Sequence, residues 1–222
     1  MNRWEYYEQT RELALAKRAA LKVETASLNL TRMRQLYRVE GIRIDRWNTQ
    51  GRKIRAAYFC DEDDFSVLLN KNLPREPMLF SLAHELKHHY LDRGIIHDGQ
   101  IRCGDYNANQ TIEIAAEIFA AEFIYPEAEM QELVCSIGIT PQTCSPEKII
   151  ELKRVCPASI SYSFIVKRLE RFGLCQKGEY KKFHFQKLEE KLYGVPIYKQ
   201  DWFKRYRARQ KSAKTFGDNL PR

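Results

Sequence analysis

No stretch of this sequence is long and apolar enough to form a membrane span. The longest run without a charge, Leu133 to Pro146, has 14 residues and contains Pro141, against the ~18 apolar residues such a helix needs. An apolar signal region is missing as well, because Arg3, Glu5, Glu8, Arg11 and Glu12 occupy the N-terminus. Cysteine occurs six times, at Cys60, Cys103, Cys135, Cys144, Cys156 and Cys175, but never as a C-x-x-C pair. Spacings of 9, 12 and 19 between the last four fit neither a zinc ribbon nor a finger. With no export signal, disulfides are disfavoured, and buried free thiols are expected. Internal repeats and low-complexity tracts are also absent. What remains is an ordinary globular balance: 222 residues, 44% hydrophobic and 30% charged. That length suits one domain with an appendage or two small domains, and the composition supports a core. A cytoplasmic protein without membrane contact is expected.

Charge is unevenly spread. Of 37 basic and 29 acidic side chains, Met1 to Cys175 holds 24 of each, whereas Gln176 to Arg222 holds 13 and 5. The body is neutral and the tail is basic, so any attraction for an acidic partner must come from the tail.

Along the chain, residues 3–22 lack Gly and Pro and read as an amphipathic helix. A second helix starts after Asn29, a capping residue, and stops at Gly41. The period then changes from helical to two. Ile42 to Trp47, Ile54 to Cys60 and Phe65 to Asn70 read as short strands around turns at Asn48–Gly51 and Asp61–Asp64. Such close connections predict an antiparallel sheet. From Pro77, suited to a first helical position, a helix runs to about Asp92. A polar loop reaches Gln110, and Thr111 can cap an apolar helix that Pro126 ends. Further helices are expected over 127–136, after Ser145-Pro146, and from Ile160 to Phe172.

His84-Glu85-Leu86-Lys87-His88 is H-E-x-x-H inside a predicted helix. Four residues turn about 400°, so both imidazoles leave one face a turn apart. That separation lets two neutral imidazoles share a zinc ion. Glu85, one position along, lies beside the metal without ligating it and can take a proton from water there. Leu79, Leu82, Leu86 and Tyr90 give the opposite face a core to pack on.

A catalytic zinc takes three protein ligands and keeps one position open. The position six residues after His88 is Gly94, not histidine. Asp92 drifts off the ligand face, and His97 and Asp98 sit in a loop. The better candidate is Glu113, which opens Glu113-Ile-Ala-Ala-Glu117-Ile-Phe-Ala-Ala-Glu122. A helix this apolar has little reason to carry inward carboxylates unless they are paired, since an unpaired buried charge is very costly. Glu113 can bind the metal while Glu117, one turn on, holds the second nitrogen of a ligand histidine. The competing reading makes Glu113, Glu117 and Glu122 the wet face of an amphipathic helix.

Phe80-Ser-Leu-Ala-His-Glu-Leu-Lys-His88, followed by Glu113-Ile-Ala-Ala-Glu-Ile-Phe-Ala-Ala-Glu-Phe-Ile-Tyr-Pro126, resembles the ImmA/IrrE family of metallopeptidases. The upstream strands and Asn70-Lys-Asn-Leu-Pro74 resemble that family's lead-in to its catalytic helix, so the resemblance spans roughly residues 28–175. It implies metal ligands His84, His88 and Glu113, with Glu85 as base. It also implies cleavage of a helix-turn-helix repressor, often in mobile elements or stress responses. Two positions depart from the family pattern: Lys87 stands where glycine is usual, and Glu117 where asparagine or aspartate is usual.

Other signals are weaker. His89 points about 100° from His88 and reads as a surface or packing residue rather than a ligand, and His184 as structural rather than catalytic. Tyr90 or Tyr125 could stabilise an oxyanion, though packing suits both. Ser145 to Gly173 could be mistaken for a helix-turn-helix, but Ile160, Phe164, Ile165 and Leu169 look like core. In the tail, Lys181, Lys182, Phe183, Phe185, Tyr193, Tyr198, Trp202, Phe203, Lys204, Arg205, Tyr206, Arg207 and Arg209 interleave cations with aromatics. That pattern suits nucleic acid as well as a folded cap or a dock for an acidic protein.

The expected architecture is α+β. A small antiparallel sheet of about three strands packs on a helical bundle that carries the H-E-x-x-H helix. Residues 1–27 form an N-terminal helix, 28–175 the metallopeptidase domain with a helical segment at 145–175, and 176–222 a basic, aromatic-rich extension. The expected function is a zinc-dependent endopeptidase that inactivates a repressor, with Mn²⁺ or another first-row ion as an alternative metal. The sheet edge would offer the substrate a strand to pair with. The alternative is a regulatory protein with a structural metal site and a nucleic-acid-binding tail.

Overall fold

The computed structural model describes residues 2–48, 54–98, 110–196 and 199–200. The first helix, α1 (Arg3–Ala20), begins at a capping box: the Asn2 side chain accepts from the Trp4 and Glu5 amides at 2.9 Å, and Glu5 accepts from the Asn2 amide at 3.1 Å. Asn29 caps α2 (Leu30–Val39), accepting from the Thr31 and Arg32 amides. Met33, Leu36 and Tyr37 on α2 are fully buried, which follows from their i, i+3, i+4 spacing.

Three strands follow: β1 (Ile42–Trp47), β2 (Ala56–Asp61) and β3 (Asp64–Asn70). The α+β class holds, but the sheet is mixed and its order is β1-β3-β2. β2 and β3 form the expected antiparallel hairpin, closed at Asp61↔Asp64 with Glu62 at a positive φ of 47°. β1 instead pairs with β3 in parallel, Ile42↔Phe65 through Trp47↔Asn70. The apolar pattern explains the order. β3 carries Val67 and Leu69, both essentially unexposed, and so takes the centre. β1 alternates with Arg43 and Asp45, which suit an edge, and Arg43 reaches across to Asp64 at 3.1 Å.

The next helix, α3 (Arg75–Lys87), starts two residues before Pro77, which still falls in the first turn, where its missing N–H goes unneeded. It does not run on as an α-helix to Asp92. His88–Asp92 widens into a π turn, and α4 (Arg93–His97) follows. Then come α5 (Gln110–Ile124), α6 (Glu127–Ser136), α7 (Pro146–Val155), α8 (Tyr162–Arg171) and α9 (Phe185–Tyr193). α5 packs on both α1 and α3. Pro126 prevents α5 from continuing, and Arg18 of α1 donates to the Phe123 and Ile124 carbonyls left open at its end. One core joins Leu36 and Tyr37 of α2, Val67 and Leu69 of β3, Leu82 and Leu86 of α3, and Phe119 and Phe123 of α5.

The boundary drawn at Cys175 falls inside packed structure. Phe185 is buried, and its ring stacks on Tyr162 of α8 with centroids 4.8 Å apart. Tyr180 donates to the Cys144 carbonyl at 3.0 Å. Among the described residues beyond Cys175, α9 therefore packs on α7 and α8. Tyr198 and Trp202 to Arg209, part of the cation and aromatic pattern that suits nucleic acid, and Cys103 lie outside the described residues. Cys60, Cys135, Cys144, Cys156 and Cys175 are free thiols. Among the described residues no helix is long and apolar enough to cross a membrane.

Candidate metal centre

α3 and α5 face each other, and the two motifs meet across that contact. His84 Nε2 lies 3.3 Å from His88 Nε2 and 3.1 Å from Glu113 Oε2, while Glu113 Oε1 is 3.9 Å from His88 Nε2. All three donor atoms fall within 4.8 Å of one another. Ligands held ~2.0–2.1 Å from a tetrahedral ion stand ~3.3 Å apart, so the donors have the spacing a small divalent cation requires. His88 and Glu113 are buried, and the His84 side chain keeps 14% exposure, an approach from one side. Burial alone would lower the His84 pKa. The hydrogen bond to Glu113 and the charges of Glu85, Glu113 and Glu117 outweigh it and hold the group above its ordinary value. The pocket is thus electronegative enough to favour a cation.

Glu85 is buried at 4% exposure, and its Oε2 has no hydrogen-bond partner. Its carboxylate accepts a hydrogen bond from the Tyr58 backbone on β2. Burial raises its pKa, the positive character of His84 and His88 opposes this, and the nearby Glu113 charge adds to the rise. A buried carboxylate oxygen left unpaired is costly, so the fold retains here a group that a water molecule could satisfy. The donor set and this orphaned oxygen together fit a catalytic metal with its base.

The partner on the second nitrogen of His88 is Asp92, with Oδ2 2.6 Å from Nδ1. Sequence reasoning dismissed Asp92 as drifting off the ligand face and gave the histidine-holding role to Glu117. The contact lies within the π turn His88–Asp92, a feature common at functional sites, and orients the ring of His88. Glu117 sits with its side chain 37% exposed, 3.4 Å from Lys167, and acts on His84 through its charge. The signal for Asp92 was available in its i, i+4 relation to His88.

The three carboxylates of α5 have three different fates. Glu113 joins the histidines and Glu117 meets Lys167. Glu122, at 2% exposure, takes Arg168 Nη2 at 2.8 Å and the Glu127 amide at 3.0 Å. Arg168 also reaches Glu127 at 2.7 Å, so α8 is tied to α5 and α6 through a buried ion pair, and its face is a packing surface. His89 is packed as expected: Tyr58 Oη lies 3.0 Å from its Nδ1, Phe65 contacts its ring, and burial lowers its pKa. Tyr90 packs on His89 and Phe119 beneath Lys17, and the Tyr125 hydroxyl donates to the Glu129 carbonyl. His97 and Asp98 are exposed and pair with each other. His184 stands at the start of α9.

One turn from His84 and Glu113 on their helices, a cavity of about 280 Å³ opens between α3, α5 and α8. Phe80, Ile114, Ile118, Ile160 and Phe164 line it, with Glu117 and Lys167 also on its wall.

Residues 38–135 match the family model Peptidase_M78, IrrE N-terminal-like domain. The resemblance to the ImmA/IrrE family carried by the two motifs is therefore borne out over this stretch. The match includes His84, Glu85, His88 and Glu113 and omits α1. A search of curated proteins gives no match.

Proposed function

We propose that the chain, through its IrrE N-terminal-like domain, is a zinc-dependent endopeptidase that cleaves and thereby inactivates a helix-turn-helix repressor. The observation that carries this reading is the buried His84–His88–Glu113 cluster with the unpartnered Oε2 of Glu85 beside it. A site that only braces the fold has no use for a second, non-ligating carboxylate kept at such cost.

A divalent ion held by His84, His88 and Glu113 would polarise a peptide carbonyl and acidify a water. Glu85 is the proton carrier: its raised pKa suits it to accept a proton from that water and pass it to the leaving amine. Tyr58 fixes the carboxylate from the backbone side and leaves Oε2 for that exchange. Asp92 accepts from Nδ1 of His88 and so keeps the Nε2 lone pair aimed at the cation. β2 is an edge strand beside Glu85, and an extended peptide pairing with it would lie across the three ligands. The neighbouring cavity would take an apolar side chain of that peptide.

The test is to incubate the zinc-loaded protein with helix-turn-helix repressors encoded in the same genome and read the products by mass spectrometry. Parallel samples contain a chelator or Glu85→Gln. A single cut that needs both metal and Glu85 is expected. Intact repressors throughout would reject the assignment of substrate.

A further inference from the structure

Lys87 is completely buried, which is rare for a lysine unless it is paired. Its Nζ donates to three oxygens from three parts of the chain. Asp92 Oδ2 lies at 2.7 Å, the Tyr6 hydroxyl of α1 at 2.8 Å, and the Ile112 carbonyl of α5 at 3.3 Å. Three donors meet three acceptors, so the ammonium is fully satisfied. Tyr6 in turn hydrogen-bonds to Asp92. The same Asp92 oxygen that meets Lys87 also meets Nδ1 of His88.

We infer that Lys87 and Tyr6 are positioning residues for the metal centre: they clamp Asp92, and Asp92 sets the tautomer and ring orientation of His88. A carboxylate on a π turn could otherwise rotate about its own side chain. Two further donors, one of them on the very oxygen that meets His88, hold it in the orientation that aims Oδ2 at Nδ1. A histidine that donates from Nδ1 presents the bare Nε2 to the cation. The clamp also recruits α1, which lies outside the residues matching the family model, into the support of the site. The N-terminal helix would thus be more than cover for α5.

The inference rests on the metal reading of His84, His88 and Glu113, and its test separates the two. Lys87→Met keeps the length of the stem and removes the ammonium; Tyr6→Phe removes one hydroxyl. For each variant, zinc affinity is measured by competition with a chromophoric chelator. Long-range ¹H–¹⁵N spectra of the metal-free protein report which nitrogen of His88 carries the proton. Losing a partner that orients a ligand typically costs 10–100-fold in affinity. One further step out, Lys87→Met is expected to weaken zinc about tenfold and Tyr6→Phe a few-fold. Both should also yield mixed His88 tautomers without metal. In an Asp92→Ala background the Lys87 substitution should change zinc affinity little, because the intermediary is gone.

Wild-type zinc affinity and a single Nδ1–H tautomer in both variants would overturn the inference. So would an equal loss with and without Asp92, which would mean that Lys87 acts by packing. Should Lys87→Met fail to fold, Tyr6→Phe carries the comparison alone. A wild-type protein that binds no zinc would reject the metal reading, and the metal-free spectra would still decide the clamp.

Discussion

Glu85→Gln should lower activity and raise stability together, because one property of the site causes both. The glutamine has the same shape, and its carbonyl oxygen can still accept from the Tyr58 backbone. Removing a positioned base costs about 10²–10⁴ in rate, or ~3–5 kcal/mol of barrier. The stability change has the opposite sign. Glu85 is 4% exposed with one oxygen unpaired. An ionised group left unsatisfied costs more than a neutral amide in the same place, so the variant gains about 1–2 kcal/mol. For a domain of this size, that is a rise in Tm of about 2–8 °C. The pH dependence follows from the direction of the shift. The folded pKa of Glu85 lies above its ordinary value of 4.5 because of burial. The folded state therefore binds the proton more tightly than the unfolded one, and wild type loses stability as pH rises through the folded pKa. The advantage of the variant should be absent in acid and fully developed at pH 8. Calorimetry in chelator is the assay, since a bound cation would stabilise the charge. A Gln variant no more stable than wild type at pH 8 would refute the account of Glu85 as a strained base, as would unchanged cleavage of a repressor that wild type cuts.

Glu113→Ala should abolish stoichiometric zinc binding, whereas Glu117→Ala should retain it with affinity lowered only by the loss of a nearby charge; equilibrium dialysis distinguishes the two. Phe185→Ala removes a buried ring stacked on Tyr162 and should cost about 3–5 kcal/mol in urea unfolding. By the same reasoning, a chain ending at Cys175 should lose cooperative unfolding, whereas an independent tail would leave it intact. Arg168→Ala strands Glu122 at 2% exposure and should cost about 3–5 kcal/mol, while Arg168→Met combined with Glu122→Gln should recover most of that loss.

Local chemistry was legible in the sequence wherever it depended on helical spacing. A step of four from His84 to His88 places two imidazoles on one face in any α-helix, and Glu85 then has nowhere to go but beside them. Glu113 could be picked out because an apolar helix carries an inward carboxylate only at a cost. Asn29 and Pro126 marked helix ends because capping and the missing proline N–H act within one turn. The class of fold followed from the change of period between Gly41 and Pro74.

What the sequence could not decide was which distant groups share a buried atom. The parallel pairing of β1 with β3 depends on which strand is apolar enough to be central, a competition among three strands that no turn signal encodes. Asp92 was set aside because as a third ligand it drifts off the face of His84 and His88, whereas its i, i+4 relation to His88 suits it to that histidine's second nitrogen. Glu122 and Glu117 look alike along α5, yet one is buried against Arg168 of α8 and the other half-exposed near Lys167. Lys87 appeared as an oddity in a family motif, and its partners lie on α1 and α5. Phe185 seemed part of a basic tail until Tyr162 supplied a ring to stack on. In each case but that of Asp92 the deciding energy is the pairing of buried charge or apolar surface with a partner remote in the chain, which only the folded chain brings together.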